Sequence, residues 1–365
     1  MQSISIDIRM FHHTGIGRYL QGLVPNLISR QSRWHYRLIG NENFRASFPN
    51  ETPYIPTLIP IYSLREQIII PRLASHSNCL HVPHYNAPLF WRGKLVVTIH
   101  DLIHLHFKED LPSPLASFYA NTMLPKIVKR ADRLIAVSQF TKDDLIKTLG
   151  VSPEKITVIH HGIHQDFLKH GGEIRKPKNS NSIYFLCVGL IKKHKNIGTL
   201  INAFRALKQK NKAADIKLVL VGDPDRKQPV VQEWLDQIRK EEGIQLLSRL
   251  SDNELIELYR GATALIFPSL YEGFGFPLLE AMASCTPIIA ARTSSIPEVV
   301  GEKAALYFDP LSTSELTKHM DELIRNESLR KRLVEEGIKR LPSFDWKVAA
   351  QKTEQVYESA LGSNQ

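Results

Sequence analysis

The chain has 365 residues, 43% hydrophobic and 23% charged, with a formal net charge of +10; it is long enough for two domains, each with its own core, and has the make-up of a soluble globular protein. No apolar run approaches the roughly 18 residues needed to cross a bilayer, and Met1 to Met10 reads as a strand instead of a signal peptide, so a cytoplasmic protein is expected. The basic balance suits phosphorylated ligands or an anionic surface, but no RNA-binding signature, zinc-finger spacing or long Lys/Arg block points to nucleic acid.

Ile4 to Ile8 reads as a first strand. A loop then runs through His13 and Thr14 to Gly15-Ile16-Gly17, and from Arg18 the residues Tyr19, Leu20, Leu23, Val24, Leu27 and Ile28 follow helical spacing. A glycine turn between strand and helix matches dinucleotide binding only in part, because Leu20 stands where G-x-G-x-x-G needs its third glycine. Glu42, after a strand near Tyr36 to Ile39, could pass for the ribose acid of that fingerprint. The glycine pair still turns backbone N–H groups toward a ligand. Asn41 to Asn78 yields only a helix from Leu64 to Ala74, interrupted by Pro71. Apolar runs at Cys79 to Val82, Leu95 to Ile99, Leu134 to Val137 and Ile156 to Ile159 then alternate with helical stretches Leu115 to Lys129 and Thr141 to Leu149, the second capped by Ser138 or Thr141. Such alternation implies a parallel sheet wound with helices on both faces.

At Lys169 to Ser182 glycine, proline, serine, asparagine and charge replace apolar residues, which marks a domain boundary. The alternation restarts with strands at Ile183 to Val188, Lys217 to Val221, Gln245 to Leu247, Ala264 to Phe267, Pro287 to Ala290 and Ala305 to Phe308. Helices are expected at Asn196 to Lys208, Val230 to Arg239, Ser251 to Tyr259, Glu315 to Arg325, Leu329 to Leu341 and about Asp345 to Leu361. Between the fourth and fifth of these strands, Gly273 and Gly275 let backbone N–H groups approach a ligand, and Pro277 suits the first position of a helix. Its N-terminus favours phosphate, while Glu272 and Glu280 would repel a bare one; a ligand with phosphates at one end and hydroxyls at the other satisfies both.

The cysteines Cys79, Cys187 and Cys285 form no C-x-x-C pair and read as buried thiols. Histidines crowd the first half, including His81, His84, His100, His104 and His106, but without H-E-x-x-H or mixed Cys/His spacing no metal site is assigned. Helix Leu115 to Lys129, with Phe118, Tyr119, Met123, Ile127, Lys126, Lys129 and Arg130, could face the core or rest on a membrane.

The segment Glu272-Gly-Phe-Gly-Phe-Pro-Leu-Leu-Glu280 resembles the E-x7-E motif of the family 4 glycosyltransferases of GT-B type, in its E-G-F-G-x-P-x-x-E form. Gly15-Ile16-Gly17-Arg18-Tyr19, Thr98-Ile99-His100-Asp101-Leu102, Ala136-Val137-Ser138-Gln139-Phe140, and Val188-Gly189 with Lys192 and Lys195-Asn196 are similar to that family in the same order, over nearly the whole chain. The resemblance implies an α/β fold of two Rossmann-like, doubly wound domains facing each other across a cleft. Residues 1–170 would form the acceptor domain, 171–182 a linker, 183–343 the nucleotide-sugar donor domain, and 344–365 a helix crossing back to the first domain. It further implies hexose transfer, with retention of anomeric configuration, from a UDP-sugar such as UDP-glucose or from GDP-mannose. The acceptor would be a glycan or lipid-linked oligosaccharide in exopolysaccharide or lipopolysaccharide assembly, on the cytoplasmic side and with a peripheral membrane contact left open. The resemblance implies that no cofactor or metal is required.

By the same resemblance Glu280 would hold the ribose hydroxyls, and Glu272 with the amides of Gly273, Phe274, Gly275 and Phe276 would face the donor sugar and diphosphate. Lys195, with Lys192, would pair with the diphosphate, the more so because Leu190 stands after Gly189 where the family often has arginine. His100 would contact the transferred sugar. Gly15, Ile16 and Gly17 would approach the donor, Arg249 would lie by the nucleobase, and Arg18 and Asp101 would meet the acceptor. A different GT-B enzyme such as a sugar-nucleotide epimerase, a non-catalytic nucleotide-sugar binder, and a nicotinamide oxidoreductase are the alternatives.

Overall fold

The computed structural model describes residues 2–30, 32–107, 114–169, 183–211 and 215–362, with the backbone alone for 114–120. The expected linker 171–182, and the side chains of Phe118 and Tyr119, therefore lie outside the described residues. The chain divides into two compact units, Met1–His106, Ser113–Gly162 and Phe344–Gln365 forming the first, Phe107–Pro112 and Ile163–Ser343 the second.

The first unit is built on β1 (Gln2–Asp7), β2 (Trp34–Gly40), β3 (Tyr54–Pro56), β4 (Cys79–Val82), β5 (Lys94–Ile99), β6 (Arg133–Ala136) and β7 (Ile156–Val158), all parallel, in the order β3-β2-β1-β4-β5-β6-β7. Ile6 stands between Leu38 and His81 in this register. Short continuous apolar runs make these strands because helices cover both faces of the sheet, leaving no side for polar alternation; β4 is buried along its length. Strand order reverses between β1 and β4, so the loops after these strands flank a topological switch point.

Two readings of this half change and one open choice is settled. The helix expected from Arg18 begins at Thr14, so Gly15-Ile16-Gly17 forms its first turn and not a preceding loop. Gly17 is needed for close approach, since a Cβ there would lie 2.7 Å from Phe11 O. The short strand β3, whose three residues are too few to print a period, went unread. Helix Gln139–Leu149 takes Ser138 and not Thr141 as its cap, the Ser138 hydroxyl accepting from Thr141 N at 3.0 Å.

The last helix, Trp346–Leu361, packs on Thr14–Ser29 within this unit. Trp346 fills space made by two glycines: a Cβ on Gly22 would fall 2.0 Å from its indole, and one on Gly162 would fall 2.4 Å from its backbone nitrogen. Glu354 accepts from Arg30 Nε at 2.9 Å and from Tyr36 Oη at 2.7 Å. Tyr357 reaches His81 at 2.7 Å, His81 reaches Thr98 at 2.9 Å, and Thr98 reaches Tyr19 at 2.9 Å, a buried chain from the last helix to the first.

The second unit repeats the plan with β8 (Ile183–Val188), β9 (Ile216–Val221), β10 (Ile244–Leu247), β11 (Ala264–Phe267), β12 (Ile288–Ala291) and β13 (Ala305–Phe308), parallel, in the order β10-β9-β8-β11-β12-β13. Here the order reverses between β8 and β11. Both units are thus Rossmann-like and doubly wound. Helix Asp252–Gly261 opens with a capping box between Ser251 and Glu254. Among the described residues no helix is long and apolar enough to cross a membrane.

Candidate functional site

In parallel sheets the loops after the strands share one edge, so the segments that follow the neighbours β8 and β11 meet there although they are distant in sequence. After β8 a short 3-10 turn, Lys193–Lys195, presents the lysine. Its stem runs along Gly189, where an added Cβ would sit 3.9 Å from Lys195 Cε, and its ammonium lies 5.7 Å from the centre of the Phe267 ring at the end of β11. That ammonium donates to Glu272 Oε1, with the two side chains 19% and 12% exposed. Asn196 holds this arrangement from below, its amide donating to Pro268 O at 3.1 Å and Pro310 O at 2.7 Å.

The loop between β11 and helix Phe276–Ala283 is fixed by two serines that the sequence reading passed over. Glu272 N donates to Ser294 Oγ at 3.0 Å, and the buried Ser295 hydroxyl shares its proton between Glu272 O at 2.9 Å and Phe274 O at 3.2 Å. Nothing in the sequence around Ser294 and Ser295 marks this role, because their partners lie in the loop after another strand. Gly275, at φ +99°, makes the left-handed step into the helix that L side chains rarely adopt. The helix opens at Phe276, which puts Pro277 at its second residue and not its first. Glu280 is on its buried side, 3% exposed, and accepts from Tyr259 Oη at 2.8 Å.

Gly189, Lys195 and Glu272 are thereby brought together, with Gly273 to Phe276 leading from them into the helix that carries Glu280. Lys192 is half-buried at the start of the 3-10 turn. Arg249 is exposed, at φ +57°, in the loop after β10, two strands from β8. Cys187 is buried, which pushes its thiol up to about 12, whereas Cys285 is only half-buried, at φ +57°, and departs from the expectation of three buried thiols.

In the first unit His100 follows β5. Its Nε2–H donates to Pro83 O at 2.9 Å. A carbonyl can only accept, so this bond fixes the tautomer and leaves the Nδ1 lone pair as an acceptor. Burial pulls its pKa down to about 4, against the opposing pull of Asp101, so the ring is neutral at pH 7. It stands edge-on to Tyr19 at 4.9 Å. Asp101 Oδ1 accepts from Ile103 N at 3.0 Å and starts the short helix Ile103–His106. Gly15 is exposed, Ile16 and Arg18 are half-buried, and all three lie in the first turns of Thr14–Ser29.

Among the described residues, His164, Asp166 and Asp252 form the group whose ligand atoms lie within 4.8 Å of one another; His81, His84, His100, His104 and His106 do not converge in that way. Asp166 is also paired with Lys169 at 2.8 Å.

Residues 14–167 match the family described as glycosyltransferase family 4, and residues 173–340 match glycosyl transferases group 1. O-antigen chain mannosyltransferase B of Escherichia coli is 25% identical over 94% of this chain and 96% of its own. O-antigen chain mannosyltransferase RfbU of Salmonella typhimurium is 33% identical over 62% of this chain and 59% of its own. The crystal structure of Anabaena Alr3699/HepE in complex with UDP-glucose superposes with a TM-score of 0.78 at 18% identity, covering 98% of this chain and 100% of that one.

Proposed function

The chain belongs to the group 1, family 4 glycosyltransferases of GT-B fold and is a hexosyltransferase, and from that premise we propose that it transfers mannose from GDP-mannose to a glycan or lipid-linked acceptor of a surface polysaccharide, with retention, on the cytoplasmic side of the membrane. The observation that carries this reading is the meeting of Lys195 with Glu272 at the β8/β11 switch point, beside a helix N-terminus suited to phosphate. Mannose is preferred because two relatives named as mannosyltransferases are 25% and 33% identical. The neighbour holding UDP-glucose is 18% identical and speaks for the fold alone.

On this reading Lys195 exchanges the Glu272 carboxylate for the donor diphosphate, and the amides from Gly273 to Phe276 take the remaining phosphate charge. Glu272, released, turns to the hydroxyls of the transferred sugar. Glu280 is assigned to the ribose hydroxyls; its burial and the Tyr259 hydroxyl orient it, and charge-assisted hydrogen bonds are strong in a water-poor setting. His100, neutral with an Nδ1 lone pair, accepts a hydrogen bond from a sugar hydroxyl. Retention by two displacements needs a carboxylate nucleophile on the far face of the sugar, and no role here assigns one. Same-face departure and attack, with the donor's own phosphate taking the acceptor proton, uses the groups named. Lys192 and Arg249 are assigned to phosphate and base, Gly15 to Gly17 to the donor, and Arg18 and Asp101 to the acceptor.

Thermal-shift titration with GDP, UDP, ADP and their sugars tests the donor. GDP and GDP-mannose are expected to stabilise the protein; stabilisation by UDP and UDP-glucose with none by GDP overturns the choice of base. Release of free GDP that depends on acceptor then separates transfer from simple binding.

A further inference from the structure

Tyr62 has φ +59°, in the left-handed region that an aromatic residue enters only at a cost, and it is 40% exposed. Such strain gathers where a side chain is held ready for a ligand. The loop that carries it is fixed from within. The buried Arg9 guanidinium donates to Ile59 O at 3.3 Å and Pro60 O at 3.4 Å before Tyr62, and to Glu66 Oε2 at 3.0 Å after it. Glu66 Oε2 also accepts from Asn86 Nδ2 at 3.2 Å, which ties this loop to the one after β4.

The loop after β4 brings two more rings. Tyr85 N donates to His84 Nδ1 at 2.7 Å, so the imidazole proton is on Nε2, which faces Tyr62 Oη at 3.4 Å. Ring centres lie 5.9 Å apart for Tyr62 and His84, 6.0 Å for Tyr62 and Tyr85, and 4.0 Å for His84 and Tyr85. Burial, then the neighbouring His100, His104 and His13, pull His84 well below its ordinary 6.5, which leaves its ring uncharged at pH 7. The charges acting on the Tyr62 hydroxyl are those of Glu66 and Asp101, both negative. Aromatic faces with polar edges beside carboxylates suit a neutral pyranose, whose C–H face rests on the negative face of a ring and whose hydroxyls reach the edges. An acidic sugar would instead need Arg18 or Arg65, half-buried and exposed respectively. The His84 ring lies 6.5 Å from that of His100, about one sugar ring from the residue assigned to the transferred hexose.

We propose that Tyr62 and His84 form the platform for the terminal sugar of the acceptor, a neutral hexopyranose, and that Tyr62 selects which acceptors are extended. The inference rests on the glycan acceptor reading above and narrows it. The enzyme adds to an uncharged sugar already in place and does not begin a chain on a lipid phosphate, so a transferase that sets the first sugar on its carrier precedes it.

Saturation-transfer NMR of the full chain with methyl α-mannopyranoside, methyl α-glucopyranoside and methyl glucuronide at millimolar concentrations, each alone and with GDP or UDP, tests this. Native protein is expected to bind at least one neutral glycoside. Tyr62→Ala should bind it roughly 3- to 10-fold more weakly, and Tyr62→Phe, which keeps the ring, within about twofold of native. Tyr62→Gly should bind as weakly as Tyr62→Ala yet melt no lower, because glycine adopts the left-handed φ without cost. Stabilisation by nucleotide should be the same in all variants, as a general loosening of the fold would not leave it. The proposal is overturned if native protein binds neither neutral glycoside, if Tyr62→Ala binds as native does, or if the glucuronide binds more tightly than both. No transfer is measured, so failure here leaves the donor reading to the GDP-mannose titration.

Discussion

Lys195 and Glu272 stand 77 positions apart in the chain and share a hydrogen bond. Each alone is an ordinary charge on a loop; together, beside Phe267 and the start of helix Phe276–Ala283, they form the site proposed to take an anion at one group and hydroxyls at the other. Lys195→Ala removes the charge-assisted bond proposed for the diphosphate, so donor affinity measured by calorimetry should fall roughly 10- to 150-fold. A fall below twofold would reduce the lysine to a partner for Glu272. Ser295→Ala tests the support of the loop and not its chemistry. With the Phe274 carbonyl deprived of the hydroxyl and Glu272 O left with Ser295 N at 3.4 Å, kcat/KM should drop ~5- to 30-fold, equivalent to about 1 to 2 kcal/mol, and stability should fall by about 1 to 3 kcal/mol. An unchanged kcat/KM would show that the backbone holds the loop unaided.

At the scale of elements the last helix is the instructive case. Its apolar spacing announces a helix, but not where it lies, and its seat depends on Gly22 and Gly162 leaving room for Trp346. Gly22→Ala puts a methyl group into a rigid indole, which cannot yield as a flexible chain end would, so about 1 to 3 kcal/mol of stability should be lost in urea unfolding. Tyr357→Phe leaves His81 Nδ1 buried without its 2.7 Å partner. A loss of about 1 to 3 kcal/mol is expected, and if the variant melts with the native protein the chain from Tyr357 to Tyr19 carries no stability. The strands were legible for a plain reason: in a sheet covered on both faces every strand position favours apolar residues, and Ala264–Phe267 prints that as an unbroken run. The helix Glu66–Leu73 was legible only in outline, since its exposed Leu64 and Ile68 and its internal Pro71 blur the period.

For the whole molecule, the buried histidines set a pH response. His81, fully buried, is pulled by burial down to about 3, and His161, 1% exposed, is pulled well below its ordinary 6.5. Between about 6.5 and those lowered values the unfolded chain takes up protons that the folded chain refuses, so stability rises with pH through that window and is lost as pH falls. At the steepest each histidine contributes about 1.4 kcal/mol per pH unit. Melting temperature should therefore decline steadily from pH 7 to pH 5, and His81→Gln should flatten the slope. A melting temperature level over this range would show that His81 protonates freely in the folded state.

Local chemistry let the sequence by itself determine the alternation of strands and helices, the composition break after Lys169, and the glycine-rich, twin-carboxylate segment from Glu272 to Glu280, since burial on both faces, turn geometry and helix ends each leave their residues side by side in the chain. Strand order, which is set by how helices pack across a sheet and leaves no mark on neighbouring residues, was decided only in the tertiary structure. It put β8 against β11 and so Lys195 against Glu272, set Ser295 under the loop, and turned Tyr259 onto Glu280.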